Sequence, residues 1–394
     1  MPTRARTATA LLTAAVLGLT ATAATPALAA PAGSAATASP FGPAADGSPA
    51  EALEAALAGL PAPHTTAALV RYSGPDLTWH GGAGTADLRT GRGAMEHSRF
   101  RAGSVTKTFT AAVVLQLAAE GRTDLDAPAR RHLPGLLPRE FAGVTVRQLL
   151  DHTSGIRPAD SPDSFAEAHA RRFDTVDPRE QVANAVAKGP EFAPGERQHY
   201  LNINYTVLGL LVEELTGTSY EQAVTDRILR PLGLRHTSFP GNDPRIHGPH
   251  HRGYQRVTGA DGTTRLVDVT EWNLSAGRAA GDIISTTADL ERFLRALFRG
   301  KVVRGPLLEE MFTVPRVTDV ETGDEAQLSA GLARMELPDG TAVWGKTGGR
   351  YGYNTGIGAT RDLERVLVYS VNSTDAKAEG TNPVIGRLLA VFGL

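Results

Sequence analysis

Ser104-Val105-Thr106-Lys107 sets a hydroxyl and an amine three residues apart, at the head of an apolar run from Phe109 to Leu117. On a helix, positions i and i+3 share a face, so the two groups can meet. An ammonium is a poor base. Desolvated or crowded by other cations, it loses its proton and can then withdraw one from serine. The chemistry this suggests is acyl transfer through a serine ester. The pair is weak evidence alone, because sixteen serines and five lysines would produce it by accident in roughly one such chain in five. With thirty-five arginines and only five lysines, the place of each lysine is informative.

Two further triplets support the pair. Tyr200-Leu201-Asn202 lies just before a helix that Asn204 is expected to cap. Lys346-Thr347-Gly348, followed by Gly349, closes a strand expected over Thr341–Gly345 and opens a glycine-rich bend. Acyl transfer needs a nucleophile, a group to move its proton, and donors for the developing oxyanion. Ser104 is the candidate nucleophile, at a helix start whose dipole favours negative charge. Lys107 and Tyr200 are the proton handlers, each needing a pKa about 3 units lower, or about 4 kcal/mol of bias. A second lysine nearby supplies that bias to both. Tyr200 is assigned as the base and Lys107 as its electrostatic partner, with the reverse assignment open. The backbone N–H groups of Ser104 and Gly349 are expected to form the oxyanion hole. Asn202 and Lys346 are expected to orient the substrate amide and the proton network. Thr347, Gly348 and Gly349 are the expected substrate-binding residues, with Thr347 on a substrate carboxylate.

In this order and spacing, Ser-Val-Thr-Lys, Tyr-x-Asn and Lys-Thr-Gly resemble the motifs of the serine penicillin-recognising hydrolases. The branch is that of class C beta-lactamases, secreted D-alanyl-D-alanine carboxypeptidases and allied esterases. Leu149-Leu-Asp-His152-Thr-Ser-Gly155, Ala279-Ala-Gly281-Asp-Ile-Ile-Ser285-Thr and Leu115-Gln-Leu-Ala-Ala-Glu-Gly121 extend the likeness, which runs from about Gly47 to the C-terminus. The resemblance implies a secreted carboxypeptidase that removes D-alanine from peptidoglycan-type peptides. A beta-lactamase or esterase on the same machinery is the rival, and a non-catalytic penicillin-binding sensor is another. The three intact triplets argue against the sensor. The chain departs from the carboxypeptidase pattern at Lys346, where His is frequent, at Leu201, where Ser is common, and at Arg278, where an aromatic residue is often found. These departures bear on the leaving group.

The elements that must position these residues are legible. Helices are expected from Ser104 to Glu120, from the capping box Thr145–Gln148, from Asp177-Pro178, from Tyr205 to Leu215, from Ser219 to near Pro231, from Thr286 or Thr287 to Phe298, and from Pro383 to Phe392. Strands are expected at both ends: Thr66–Tyr72 and Leu77–Ala83 early, Leu328–Glu336, Thr341–Gly345, Tyr353–Ala359 and Arg365–Val371 late. This order describes an α+β protein. An antiparallel sheet is flanked by N- and C-terminal helices and carries an all-α insertion over approximately 116–275, a beta-lactamase/transpeptidase-like arrangement. Arg157–Asp177 and Phe239–Asp268 are expected to be loops.

Residues 1–29 form an expected signal peptide, with Arg4 and Arg6 ahead of an Ala-rich apolar stretch and a small-x-small site at Ala27-Leu28-Ala29. Residues 30–47 form a flexible Ala/Pro/Gly/Ser leader, and 48–394 the hydrolase domain. The expectation is a secreted monomer with no stable membrane anchor. It has no cysteine, and its net charge of −2 argues against nucleic acid as a partner. No metal or cofactor is expected. His247-x-x-His250-His251 sits in a Pro/Gly loop and is expected on the surface. The expected ligand is a small peptide, beta-lactam or ester. Trp272, Tyr351 and Tyr353 are candidates to line its cleft, and Arg350 to read a carboxylate. His152 is expected to serve a helix end and turn.

Overall fold

A computed structural model describes residues 48–394; the expected signal peptide and leader lie outside them. Local chemistry starts most helices. The Ser48 side chain and Glu51 close a capping box on α1 (Pro49–Leu57), and Thr145 and Gln148 do the same for α3 (Val146–Leu150). Asp177 caps α5 (Pro178–Val186), Thr286 caps α9 (Thr287–Phe298), and Asn382 caps α11 (Pro383–Phe392). Proline stands in the first turn of α1, α5 and α11, where its missing N–H is not needed.

The chain runs β1 (Thr65–Ser73), β2 (Thr78–Asp87), β3 (Arg92–Gly93) and β4 (Phe100–Arg101), then α2 (Thr106–Ala119). After α3 come α4 (Phe165–Ala170), α5, β5 (Arg197–Gln198), α6 (Asn202–Thr216), α7 (Tyr220–Val224) and α8 (Arg230–Leu232). A hairpin of β6 (Tyr254–Thr258) and β7 (Thr264–Asp268) leads to β8 (Ile284–Ser285), α9, α10 (Pro306–Glu309) and β9 (Thr318–Asp319). The sheet is completed by β10 (Ala333–Glu336), β11 (Ala342–Arg350), β12 (Tyr353–Thr360) and β13 (Val366–Ser373), ahead of α11.

Seven strands form an antiparallel sheet in the order β10-β11-β12-β13-β1-β2-β3. Pairing of β1 with β13, Val70 opposite Tyr369, joins the two ends of the described chain. On one face α1 and α11 bury Leu53, Leu57 and Leu388 against Val70, Leu367 and Val371. On the other, α9 packs on β1, β12 and β13, and its Phe293 stacks on Phe109 of α2 at 3.6 Å between ring centroids. Phe109 to Leu115 and Leu117 of α2 are all buried, so the helix is enclosed on every side.

Several boundaries differ from the sequence reading, among them α4, which occupies part of the expected loop Arg157–Asp177, and β10, which begins at Ala333 rather than Leu328. Lys346–Arg350 does not bend: β11 continues through it, paired with β12, and the turn falls at Tyr351-Gly352. Helix α6 begins at Asn202 rather than after Asn204, whose amide is buried and bonded to Ser154 and His152. The helix expected to end near Pro231 does so, at Leu232. A π turn over Thr225–Leu229 precedes α8, and Gly233, at φ 64°, ends it. The β6–β7 hairpin occupies part of the expected loop Phe239–Asp268, with Thr258 opposite Thr264 next to a turn at Asp261-Gly262. Among the described residues no helix is long and apolar enough to cross a membrane.

Asp282 is buried, and neither carboxyl oxygen has a hydrogen-bond partner. Burial, then the charge of Glu221, pushes its pKa up to about 8. Its folded-state pKa thus exceeds the unfolded one, and the stability it contributes is present at acid pH and lost as pH rises toward 8. Asp282→Asn should flatten the pH dependence of urea unfolding between pH 5 and 8, where wild type should fall relative to it by roughly 1 kcal/mol per pH unit. Parallel stability profiles for the two proteins would contradict this.

Candidate active site

Ser104 lies in a 3-10 turn, Gly103–Val105, that leads into α2. The turn is clamped from behind. Phe100 and Arg101 pair with Ser285 and Ile284, Ala102 N–H donates to Ile283 O, and Ile283 N–H donates to the Thr106 hydroxyl. From the front it meets the strand that carries Lys346-Thr347-Gly348-Gly349. Strand β10 stops at Ala333 opposite Gly345, so the outer edge of β11 is free from Lys346 onward. A Cβ on Gly348 would sit 2.0 Å from Ala102 O, and one on Gly103 would sit 2.9 Å from Gly349 N. Only glycine permits this apposition, which brings the backbone at Ser104 and Gly349 together.

Lys107 has no exposed surface. Its Nζ lies 2.7 Å from Asn202 Oδ1, 2.7 Å from Ala280 O and 3.2 Å from Ser104 Oγ. The first two are obligate acceptors and fix two N–H bonds. The third position, toward Ser104, holds a hydrogen in the ammonium and a lone pair in the amine. The same geometry therefore serves both protonation states. Burial, followed by the charge of Lys346, pulls Lys107 down to about 8 against the opposing pull of Tyr200.

The Tyr200 ring lies between two cations, its centroid 4.9 Å from Lys107 Nζ and 4.6 Å from Lys346 Nζ. Burial pushes the phenol up, but the charges of Lys107 and Lys346 outweigh it and bring the group to about 7. The Tyr200 hydroxyl is buried and makes no well-formed hydrogen bond, yet Ser104 and Lys107 stand close enough to help lower its pKa. Lys346 Nζ donates to Thr347 O at 3.0 Å, while the Thr347 side chain is exposed. Ser104, Lys107, Tyr200, Asn202, Lys346 and the Gly348-Gly349 edge thus meet in one cleft.

Other candidates separate. Tyr353 is core, its hydroxyl donating to His251 O. Trp272 and Tyr351 join Phe165 and His169 in an aromatic cluster. Arg278 is held by Glu213 and Glu221. Of the histidines expected on the surface, His247 is exposed and His250 half-buried, but His251 is buried. They face three different partners, Asp243, Gly248 O and Asn372. The sequence reading missed Lys377, on the loop after β13, which lies within electrostatic reach of Arg350, Tyr200 and Lys107. Lys377 is exposed, and crowding at the cleft, then the charge of Arg350, lowers its pKa. The available signal was rarity: three of the five lysines meet here.

Residues 53–390 match the Beta-lactamase family, and the chain belongs to it. It is 27% identical over 316 residues to Penicillin-binding protein 4* of Bacillus subtilis (strain 168), spanning 77% of this chain and 67% of that protein. A D-stereospecific amidohydrolase from Streptomyces sp. has a similar structure, with 34% identity and a TM-score of 0.74 over 85% of this chain and 97% of its own. D-amino acid amidase from Ochrobactrum anthropi SV3 follows at 26% identity and a TM-score of 0.72, covering 86% and 97%. The chain is therefore a serine hydrolase of the beta-lactamase fold.

Below about pH 7 both Tyr200 and Lys107 hold protons, and above about 8 neither does. Only the singly protonated pair contains both an acid and a base, whichever group is which. A bell-shaped kcat/KM profile is expected, with limbs near 7 and 8, and Tyr200→Phe should remove one limb. An unaltered bell in the variant would rule Tyr200 out of the titrating pair.

Proposed function

We propose that this protein forms an acyl-enzyme at Ser104 with D-configured peptides that end in a free carboxylate, as a D-alanyl-D-alanine carboxypeptidase does. The observation that carries this is charge. Lys346, Arg350 and Lys377 stand around the cleft, and none has a carboxylate partner among the described residues. Asp282, near the same segment, is buried and its pKa is raised, which weakens it as a counter-charge. Such a cleft attracts an anionic substrate terminus, with Thr347 as a further donor. The similarity to Penicillin-binding protein 4* supports the reading, and the N-terminal features of residues 1–29 support export to where such peptides occur.

In this mechanism Ser104 Oγ attacks the carbonyl carbon while its proton passes to the Lys107–Tyr200 pair. Lys107 Nζ lies 3.2 Å from Ser104 Oγ, but the phenol, at about 7 against about 8 for the amine, gives up its proton first. This favours Tyr200 as the base and Lys107 as its electrostatic partner, the assignment drawn from the sequence. Tyr200, set between Lys107 and Lys346, returns a proton to the leaving nitrogen as the C–N bond breaks. The N–H groups of Ser104 and Gly349 hold the oxyanion, about 3 kcal/mol per donor. Water then attacks the ester and the pair works in reverse, releasing the shortened peptide. Asn202 holds Lys107 in place.

The similarity to D-stereospecific amidohydrolase and D-amino acid amidase favours a second reading, in which the substrate is a D-amino acid amide with no carboxylate. The two part on one comparison, kcat/KM on a D-Ala-D-Ala peptide with a free or an amidated terminus. The free acid should lead by at least about tenfold, roughly 1.4 kcal/mol. Lys377→Ala should raise KM for the acid alone. Equal rates on both termini would favour the amidase reading. Within either, Lys107→Arg should acylate nearly as poorly as Lys107→Ala, because a guanidinium does not release its proton near neutral pH. Acylation by Lys107→Arg within about tenfold of wild type, read by mass of the Ser104 adduct, would leave Tyr200 as the sole base.

A further inference from the structure

The reading of Tyr200 as half of the proton-transfer pair raises the question of what holds its ring between two lysines when its own hydroxyl makes no well-formed hydrogen bond. The residues on either side of it answer. His199 N–H donates to the His152 carbonyl at 2.9 Å, and Leu201 N–H donates to His152 Nδ1 at 3.3 Å. One residue therefore grips the chain both before and after Tyr200. The His152 ring also lies against Tyr200, 4.7 Å between centroids, and against Tyr205 at 5.2 Å.

The backbone of His152 is unusual for its residue type. It follows α3 at φ 64°, and Thr153 N–H closes the turn onto Gln148 O. This is the left-handed position that usually takes glycine, and a side chain there is strained. An imidazole kept at such a place points to a use for the ring.

The bonds define its protonation. A backbone N–H only donates, so Nδ1 carries a lone pair and the ring proton is on Nε2. Asn204 Nδ2 meets the same nitrogen at 3.3 Å, its amide oriented by Ser154, which donates to Asn204 Oδ1. The groups facing the ring are the phenols of Tyr200 and Tyr205 and the cations Lys107 and Lys346, with His199 beyond and Asp151 adjacent in the chain. A proton on Nδ1 would oppose Leu201 N–H and add charge beside two lysines.

We propose that His152 is a positioning residue: through its carbonyl and its neutral Nδ1 it fixes the Tyr200 turn, and so sets the phenol between Lys107 and Lys346. It touches no substrate.

Two substitutions separate this from a role in folding alone. His152→Gly suits the left-handed backbone and keeps the carbonyl but removes Nδ1. His152→Asn tolerates the same φ and places Oδ1 where Nδ1 was. For the glycine variant, kcat for a D-Ala-D-Ala peptide should fall roughly hundredfold, the loss typical of a displaced catalytic group. KM should change little, thermal stability should hold or rise, and the Tyr200 limb of the pH profile should shift. His152→Asn should recover most of kcat and the wild-type limb. A glycine variant with wild-type kcat and pH profile, or an asparagine variant no better than glycine, would overturn the proposal. Tyr200→Phe is run beside them: if it retains activity, the reading of Tyr200 itself fails. If it collapses while His152→Gly does not, only the role of His152 fails. Should the glycine variant not fold, His152→Ala serves in the same comparison against His152→Asn.

Discussion

A lysine amine with no exposed surface, held by three oxygens from three separate stretches of chain, is the constraint on which this structure turns. Asn202 Oδ1 comes from the first residue of α6, Ala280 O from the segment before β8, and Ser104 Oγ from the turn before α2. Burying a cation is costly unless its hydrogens are satisfied. The cost is lowered here by two obligate acceptors and by a pKa near 8 that brings the neutral form within reach. Any shift of α6 against α2 would leave that amine unpaired. The packing of the helical insertion on the sheet and the chemistry at Ser104 are therefore coupled through one side chain.

Electrostatics extends the coupling. Lys346 is the second cation that acts on the Tyr200 phenol, and it reaches it only because the outer edge of β11 is free after Gly345. That free edge also lets Gly348 and Gly349 press on the Ser104 turn with no Cβ between them. Strand pairing, glycine content and the pKa of a tyrosine are thus consequences of one strand being longer than its neighbour. On the far side, His152 ties α3 to the chain around Tyr200. The phenol is placed by main-chain contacts, which leaves its oxygen unencumbered for proton transfer.

Charge gives the cleft its direction. Arg350 and Lys377 add to Lys346 on the side of the β11–β12 turn, whereas Arg278 is neutralised by Glu213 and Glu221. The difference lies in the surroundings. Arg278 faces α6 and α7, which carry carboxylates, while Arg350 and Lys377 make no ion pair among the described residues. An uncompensated cluster of cations is expensive to keep unless an anion visits it.

The three triplets, the order of elements and most helix starts were legible in the sequence, because each rests on neighbours within a few residues. Capping boxes at Thr145, prolines after Asp177 and Asn382, and the spacing of Ser104 and Lys107 are local facts. What the sequence left open depended on distance through space. The run Lys346–Arg350 reads as a bend from its glycines, yet β12 supplies partners that keep it extended. Asn204 reads as a cap, yet His152 and Ser154 claim its amide and the helix starts at Asn202 instead. Lys377 and Ala280 O carry no motif, and only the fold sets them beside the cleft. The sequence thus determined which groups are present and which can meet along one helix. Tertiary packing decided which of them lose their water, and so which protons can move.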